Sequence, residues 1–307
     1  MKSLYLFSVL FGFVAFLSAG SAPADAHTSS SPTFKFVTFA VDGALQTDLT
    51  GVNDSGVIVG WYIDRQLNIH GFSLTNGTMT PINDPRGTNT QLFGINASGA
   101  IVGSYTTICQ EELCSEGFLY QAGRFTDLGP PIFLHEDDPE DAPDSIAYGI
   151  NDYGGIVGFG GDGFGTGLGF FRRGGNYNII QITGGNDAIA VGVNKHGLVA
   201  VNWATDTTFN ASLYDGTTFT TIDVPRASES FAGGVNNLGD VVLSWGSVEG
   251  GFLNGALLHR GKYYRFFDPN GKRDTIPLGI NDRNVIVGAY SPHGTHDIHV
   301  YGFIATY

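Results

Sequence analysis

The chain has 307 residues, with 29 acidic against 15 basic side chains and a formal net charge of −14. A surface this acidic repels nucleic acid and anionic lipid, which argues against partners of either kind. With 45 glycines, 13 % aromatic residues and no helix-period pattern, the composition points to an all-β chain with many tight turns.

The chain opens with Lys2, an apolar run from Leu4 to Leu17, and Ala24-Asp25-Ala26, which fits an A-x-A cleavage site. That order reads as a secretory signal peptide over residues 1–26, and the apolar run is too short to span a bilayer comfortably. The expected location is therefore secreted or periplasmic, with no membrane span once the signal is cleaved. A short linker, 27–32, leads into a single domain over 33–307.

One ten-residue stretch organises that domain. Gly51–Gly60 reads GVNDSGVIVG, and it recurs as GINASGAIVG from Gly94, GINDYGGIVG from Gly149, GVNKHGLVAV from Gly192, GVNNLGDVVL from Gly234 and GINDRNVIVG from Gly279. The shared asparagines are Asn53, Asn96, Asn151, Asn194, Asn236 and Asn281. Spacings of roughly 45 residues mark a repeat architecture.

Each repeat divides into four short strands. The first ends at the Gly-Ile/Val-Asn, and the following Asn-x-x-Gly forms a turn. The second is nearly continuous apolar, as in Val57–Tyr62, so both of its faces are covered. The third is typified by His70-Gly71-Phe72 and Glu116-Gly117-Phe118, and the fourth by Phe219–Val224 and Tyr263–Phe267.

Six such units predict a six-bladed β-propeller of four-stranded antiparallel blades. The last repeat stops at its third strand, Tyr301–Tyr307, while a spare strand, Phe34–Val41, precedes the first. Pairing the two would complete the sixth blade and close the ring, hiding an open edge. A β-solenoid is the competing fold, and it has no use for the spare strand.

The Gly-Ile-Asn-x-x-Gly-x-Ile-Val-Gly core resembles the HAF family of probable extracellular repeat proteins, over essentially the whole domain. The family's His-Ala-Phe is matched loosely by His70-Gly71-Phe72; Gly-Phe persists at Gly117-Phe118, Gly169-Phe170 and Gly302-Phe303, and the Phe is lost at Ala211-Ser212 and Gly255-Ala256. The resemblance implies an exported repeat protein and carries no catalytic residue.

Antiparallel order puts the loops of variable length, between strands two and three and between blades, on one face. Binding residues concentrate on such loops. Nine residues past each shared Asn stand Tyr62, Tyr105, Gly160, Trp203, Trp245 and Tyr290, with Trp61 one residue earlier. These rings either stack on a flat ligand such as a sugar or pack between blades. Asp137 and Asp138, in an acidic loop, are weak candidates for Ca²⁺, without EF-hand spacing. His293 and His296, with His299, have short spacing but lack the fixed geometry zinc needs. No cofactor is implied beyond that weak Ca²⁺ candidate. Cys109 and Cys114 would pair in an exported chain. Gly158–Gly163 matches G-x-G-x-x-G with no following helix, which removes its meaning for a dinucleotide. Asp84, Asp127, Asp223 and Asp268 recur near fourth-strand ends and read as turn-shaping residues, with Asp42 in the closing strand.

No nucleophile elbow, H-E-x-x-H or P-loop is present. The leading expectation is an exported, non-enzymatic binding module for an extracellular glycan or surface protein. The rival expectations are a secreted propeller lyase or hydrolase acting on polysaccharide, and a structural surface spacer.

Overall fold

The computed structural model describes residues 32–109, 112–129, 144–161, 167–246, 252–271, 274–292 and 299–307. They form six four-stranded antiparallel sheets, each a blade whose first strand lies innermost. Blades 1 to 5 take their strands from Gln46–Pro81, Thr88–Asp127, Ser145–Ile180, Ala188–Thr221 and Glu229–Phe266. Blade 6 combines Thr275–Thr306 with Lys35–Phe39, which pairs antiparallel with Tyr301–Thr306 in the register Phe36 to Ala305 and Phe39 to Gly302. The ring is thus closed by the N-terminal strand, as the spare strand predicts. Phe36 lies edge-on to Phe303 at 5.6 Å, and Phe34 packs at 4.7 Å from Phe266 of blade 5. No described helix is long and apolar enough to cross a membrane.

The recurrent Gly-x-Asn is explained at the axis. A Cβ on Gly94 would stand 3.0 Å from the Cα of Gly149, and one on Gly149 would stand 3.0 Å from the Cα of Gly192. The series continues through Gly234 and Gly279, and a Cβ on Gly279 would meet the Cα of Gly51 at 3.1 Å. Six inner strands converge backbone to backbone, so a side chain has no room there. In every blade the ladder skips the residue just before this glycine, a β-bulge at Thr50, Phe93, Tyr148, Val191, Gly233 and Leu278.

Below the glycines the six asparagines form a closed circle. Asn53 Nδ2 donates to the carbonyl of Asn96 at 3.1 Å, and Asn96, Asn151, Asn194 and Asn236 each donate to the next. Asn281 returns to the carbonyl of Asn53 at 3.0 Å. Each Oδ1 meanwhile accepts two backbone N–H groups of its own turn; Asn151 takes those of Tyr153 and Gly155. One residue type therefore caps the turn and ties its blade to the next.

Between blades the core is built by a size exchange. Phe72, Phe118, Phe170 and Phe303 of the third strands are at most 1 % exposed. They lie opposite Gly60, Gly103, Gly158 and Gly288 of the second strands. Where the Phe is lost, at Ser212 and Ala256, the opposite residue is Val201 or Leu243. Volume moves from one strand to its neighbour, which keeps the core filled.

Candidate binding site

A cavity of about 110 Å³ lies on the axis, lined by the bulge residues, by Asn53, Asn96, Asn151, Asn236 and Asn281 of the asparagine circle, and by Asp54, Asp152 and Asp282. Phe93 and Tyr148 sit there with ring centroids 4.9 Å apart. Asp54, Asp152 and Asp282 each accept a backbone N–H from a neighbouring blade. One oxygen of Asp54 and of Asp152, and both oxygens of Asp282, are thus engaged in holding blades together.

On the variable-loop face the start of the first strand performs a similar task. Asn89, Asp144, Asp187 and Asp274 accept the backbone N–H of Ile69, Ser115, Gly167 and Leu253, each in the preceding blade. The hydroxyls of Thr90, Ser145, Ser230 and Thr275 accept N–H groups of Asp84, Gly117, Ala211 and Asp268 in the same way. Asp84 and Asp268 also close their own turns, accepting from Arg86 N and Asn270 N. Asp48, farther along the first strand of blade 1, is 3 % exposed; burial pushes its carboxyl up to about 7, with a smaller downward pull from Gln46 Nε2 at 2.6 Å.

The aromatic series lies between blades. Trp61, Tyr105 and Tyr290 are at most 8 % exposed, and Tyr62, Trp203 and Trp245 are half-buried. Tyr62 stacks on His70 at 5.0 Å, Tyr290 stacks on Tyr301 at 5.7 Å and bonds Thr38, and Trp203 Nε1 donates to Ser212. The indole N–H groups of Trp61 and Trp245 are enclosed without an acceptor. Asp137, Asp138, His293 and His296 lie outside the described residues. Cys109 and Cys114 form a disulfide across the end of the long second hairpin of blade 2. The single His/Cys/Asp/Glu grouping among the described residues with metal-like spacing is this pair with Glu116, and the disulfide takes up both sulfurs.

The densest convergence of polar chemistry is at the junction of blades 1 and 2. Arg86, in the connection between them, grips Asp84 through Nε at 2.8 Å and Nη2 at 2.5 Å. Its Nη1 stands 2.5 Å from Asp127 Oδ1, and its guanidinium lies over the Tyr105 ring at 5.0 Å. Tyr105 O–H donates to Glu116 Oε2 at 2.7 Å. Burial, with Glu116 beside it, holds the Tyr105 hydroxyl protonated far above the usual phenol range. The bond to Asp84 holds Arg86 charged. Arg86 and Asp127 keep 35 % and 44 % of their side-chain surface open. This yields fixed donors and acceptors at a surface edge, oriented by buried partners. Sequence reasoning missed Arg86 and Glu116. The available signal was a Pro-Arg pair after the fourth strand, present at Pro85-Arg86 and again at Pro225-Arg226.

The sequence matches no protein-family profile and no curated protein. The fold is similar to several solved structures. A catalytically inactive variant of virginiamycin B lyase from Staphylococcus aureus, with quinupristin, shares 12 % identity at a TM-score of 0.50, covering 90 % of this chain and 100 % of that one. A variant of Aleuria aurantia lectin in complex with alpha-methyl-L-fucoside shares 11 % at 0.50, covering 87 % and 93 %. TolB from Acinetobacter baumannii shares 11 % at 0.51, covering 80 % and 63 %. At such identities the likeness shows the propeller fold alone.

Proposed function

We propose that this protein is an exported binding module that holds carbohydrate on its variable-loop face, without performing chemistry on it. The observation that carries the reading is the Arg86–Asp127–Glu116 edge over Tyr105. Sugars offer paired hydroxyls that both donate and accept, and planar guanidinium and carboxylate groups fixed by a second set of contacts suit them. The half-buried Trp203 and Trp245 offer aromatic edges at the corresponding positions of blades 4 and 5. The lectin with the same architecture is a fucoside complex, which lends the reading support by analogy. The Cys109–Cys114 disulfide suits an oxidising compartment, in keeping with the signal-like residues 1–26 and with the HAF resemblance.

The test is retention on a panel of immobilised neutral polysaccharides. Glu116→Gln keeps the side-chain shape and an oxygen for the Tyr105 hydroxyl, so it should melt like wild type. It should nevertheless bind at least about tenfold more weakly, a loss of about 1.4 kcal/mol. No retention of any glycan by the wild type, or full retention by Glu116→Gln, would refute the proposal.

A further inference from the structure

The junction of blades 4 and 5 repeats the geometry of the junction of blades 1 and 2 with its charges changed. Tyr105 stands two residues after Gly103, and Gly103 pairs with Phe118, which pairs with Asp127. Trp245 stands two residues after Leu243, and Leu243 pairs with Ala256, which pairs with Arg265. Trp245 therefore occupies the place of Tyr105, and Arg265 that of Asp127. Arg226 follows Pro225 as Arg86 follows Pro85, and the buried Val224 replaces the buried Asp84.

The exchange has an electrostatic consequence. Between blades 1 and 2, Arg86 is matched by two carboxylates. Between blades 4 and 5 those two positions carry a neutral side chain and a second guanidinium. Arg265 is exposed and has no carboxylate partner among the described residues. Its guanidinium lies 4.0 Å from the centroid of the Trp245 ring, and one N–H donates to the Pro225 carbonyl. Most of its five donors therefore remain for a ligand. Desolvation, then the nearby Arg226, lowers the Arg265 pKa, so the neighbouring positive charge is felt. Arg226 itself holds a φ of 65°, a backbone conformation that costs an ordinary residue free energy and clusters at binding sites. In a chain with 29 acidic against 15 basic residues, an arginine held on an aromatic ring with no carboxylate partner among the described residues stands out from the surrounding field.

We propose that the junction of blades 4 and 5 binds the carboxylate of an acidic sugar, gripped by Arg265 with the sugar ring against the edge of Trp245. A planar guanidinium matches a carboxylate in a two-pronged contact, and a guanidinium already stacked on an indole is pre-organised to make it. The inference deepens the carbohydrate reading and rests on it for the sugar, while the site is separate from Glu116.

The experiment titrates wild type with trigalacturonate and follows tryptophan fluorescence and heat of binding. Arg265→Ala should weaken binding at least tenfold. Arg265→Glu restores the charge pattern of blade 2, so it should fold at least as well as wild type and show no binding. Neutral glycans should bind both variants like wild type. Binding of trigalacturonate by Arg265→Glu at wild-type affinity, or no binding by wild type, overturns the proposal. Equal competition by inorganic sulfate at matched ionic strength also overturns it, since the site would then select charge and not a sugar acid. Retention of neutral glycans through Glu116 without uronate binding sinks this inference and leaves the carbohydrate reading standing. Loss of neutral-glycan binding alone does the reverse.

Discussion

Replacing Asn151 tests whether the asparagine circle holds the blades together. Asn151 is 6 % exposed; its Nδ2 donates to the Asn194 carbonyl at 3.1 Å, and its Oδ1 accepts from Tyr153 N at 3.1 Å and Gly155 N at 2.8 Å. Asn151→Ala removes all three bonds and strands the Asn194 carbonyl and the Gly155 N–H in the interior. At about 1 kcal/mol net for each bond, the loss is about 3 kcal/mol. Asn151→Asp separates the two roles. It keeps the acceptor for the turn and presents a carboxylate to the Asn194 carbonyl in place of a donor. Burial and that carbonyl raise its folded pKa above the unfolded value near 3.9. Its stability is therefore greatest below about pH 3.9, where the protonated carboxyl can donate, and is lost as pH rises through the folded pKa. Urea unfolding at pH 4 and pH 7 measures both effects. Asn151→Ala within about 0.5 kcal/mol of wild type, or Asn151→Asp with the same deficit relative to wild type at both pH values, would refute the idea that the blade-to-blade donor matters.

Four further outcomes are expected. Deleting residues 32–39 removes the strand that pairs with Tyr301–Thr306, so the sixth blade should lose its outer edge; a lower melting temperature with concentration-dependent association in sedimentation checks this. Asp48 has a folded pKa raised by burial to about 7, so its contribution is full below about pH 3.8 and lost as pH rises through 7; Asp48→Asn should therefore stabilise the protein at pH 8, by at most about 4 kcal/mol, and not at pH 4, read from denaturant midpoints. In blade 5 the pair Leu243→Gly with Ala256→Phe copies the exchange used by the Phe-bearing blades, so the double variant should recover stability that each single variant loses, and a double-mutant cycle with no coupling would contradict the size exchange. Cys109→Ser opens only the short loop between Cys109 and Cys114, so it should cost roughly 2 kcal/mol or less and leave the circular dichroism spectrum unchanged.

The blade count, the four strands of each blade and the closing strand were all legible in the sequence. Six copies of one Gly-Ile/Val-Asn turn can share a pattern only if each occupies the same environment, and a spare strand before the first copy has one edge left to cover. The pairing of that strand with the last repeat's third strand, Tyr301–Thr306, follows from that count. The sequence also placed the aromatic series in one register, because position along a strand is a local property. Tertiary structure decided what those positions touch. The donor side of the asparagines meets a carbonyl some 45 residues away, and a repeat does not say whether its conserved polar group faces its own turn or its neighbour. The exchange of Phe118 and Gly103 for Ala256 and Leu243 joins residues on different strands, so it appears only once the register is known. The two arginine junctions were least legible. Arg86 and Asp127, or Pro225 and Arg265, are about 40 residues apart and come from adjacent blades, and electrostatic energy depends on their separation in space. The sequence alone determined the ring, since the period gives the blades and the spare strand at the opposite end of the chain gives the closure; the folded structure determined the charges at its seams, since each seam is assembled from two blades.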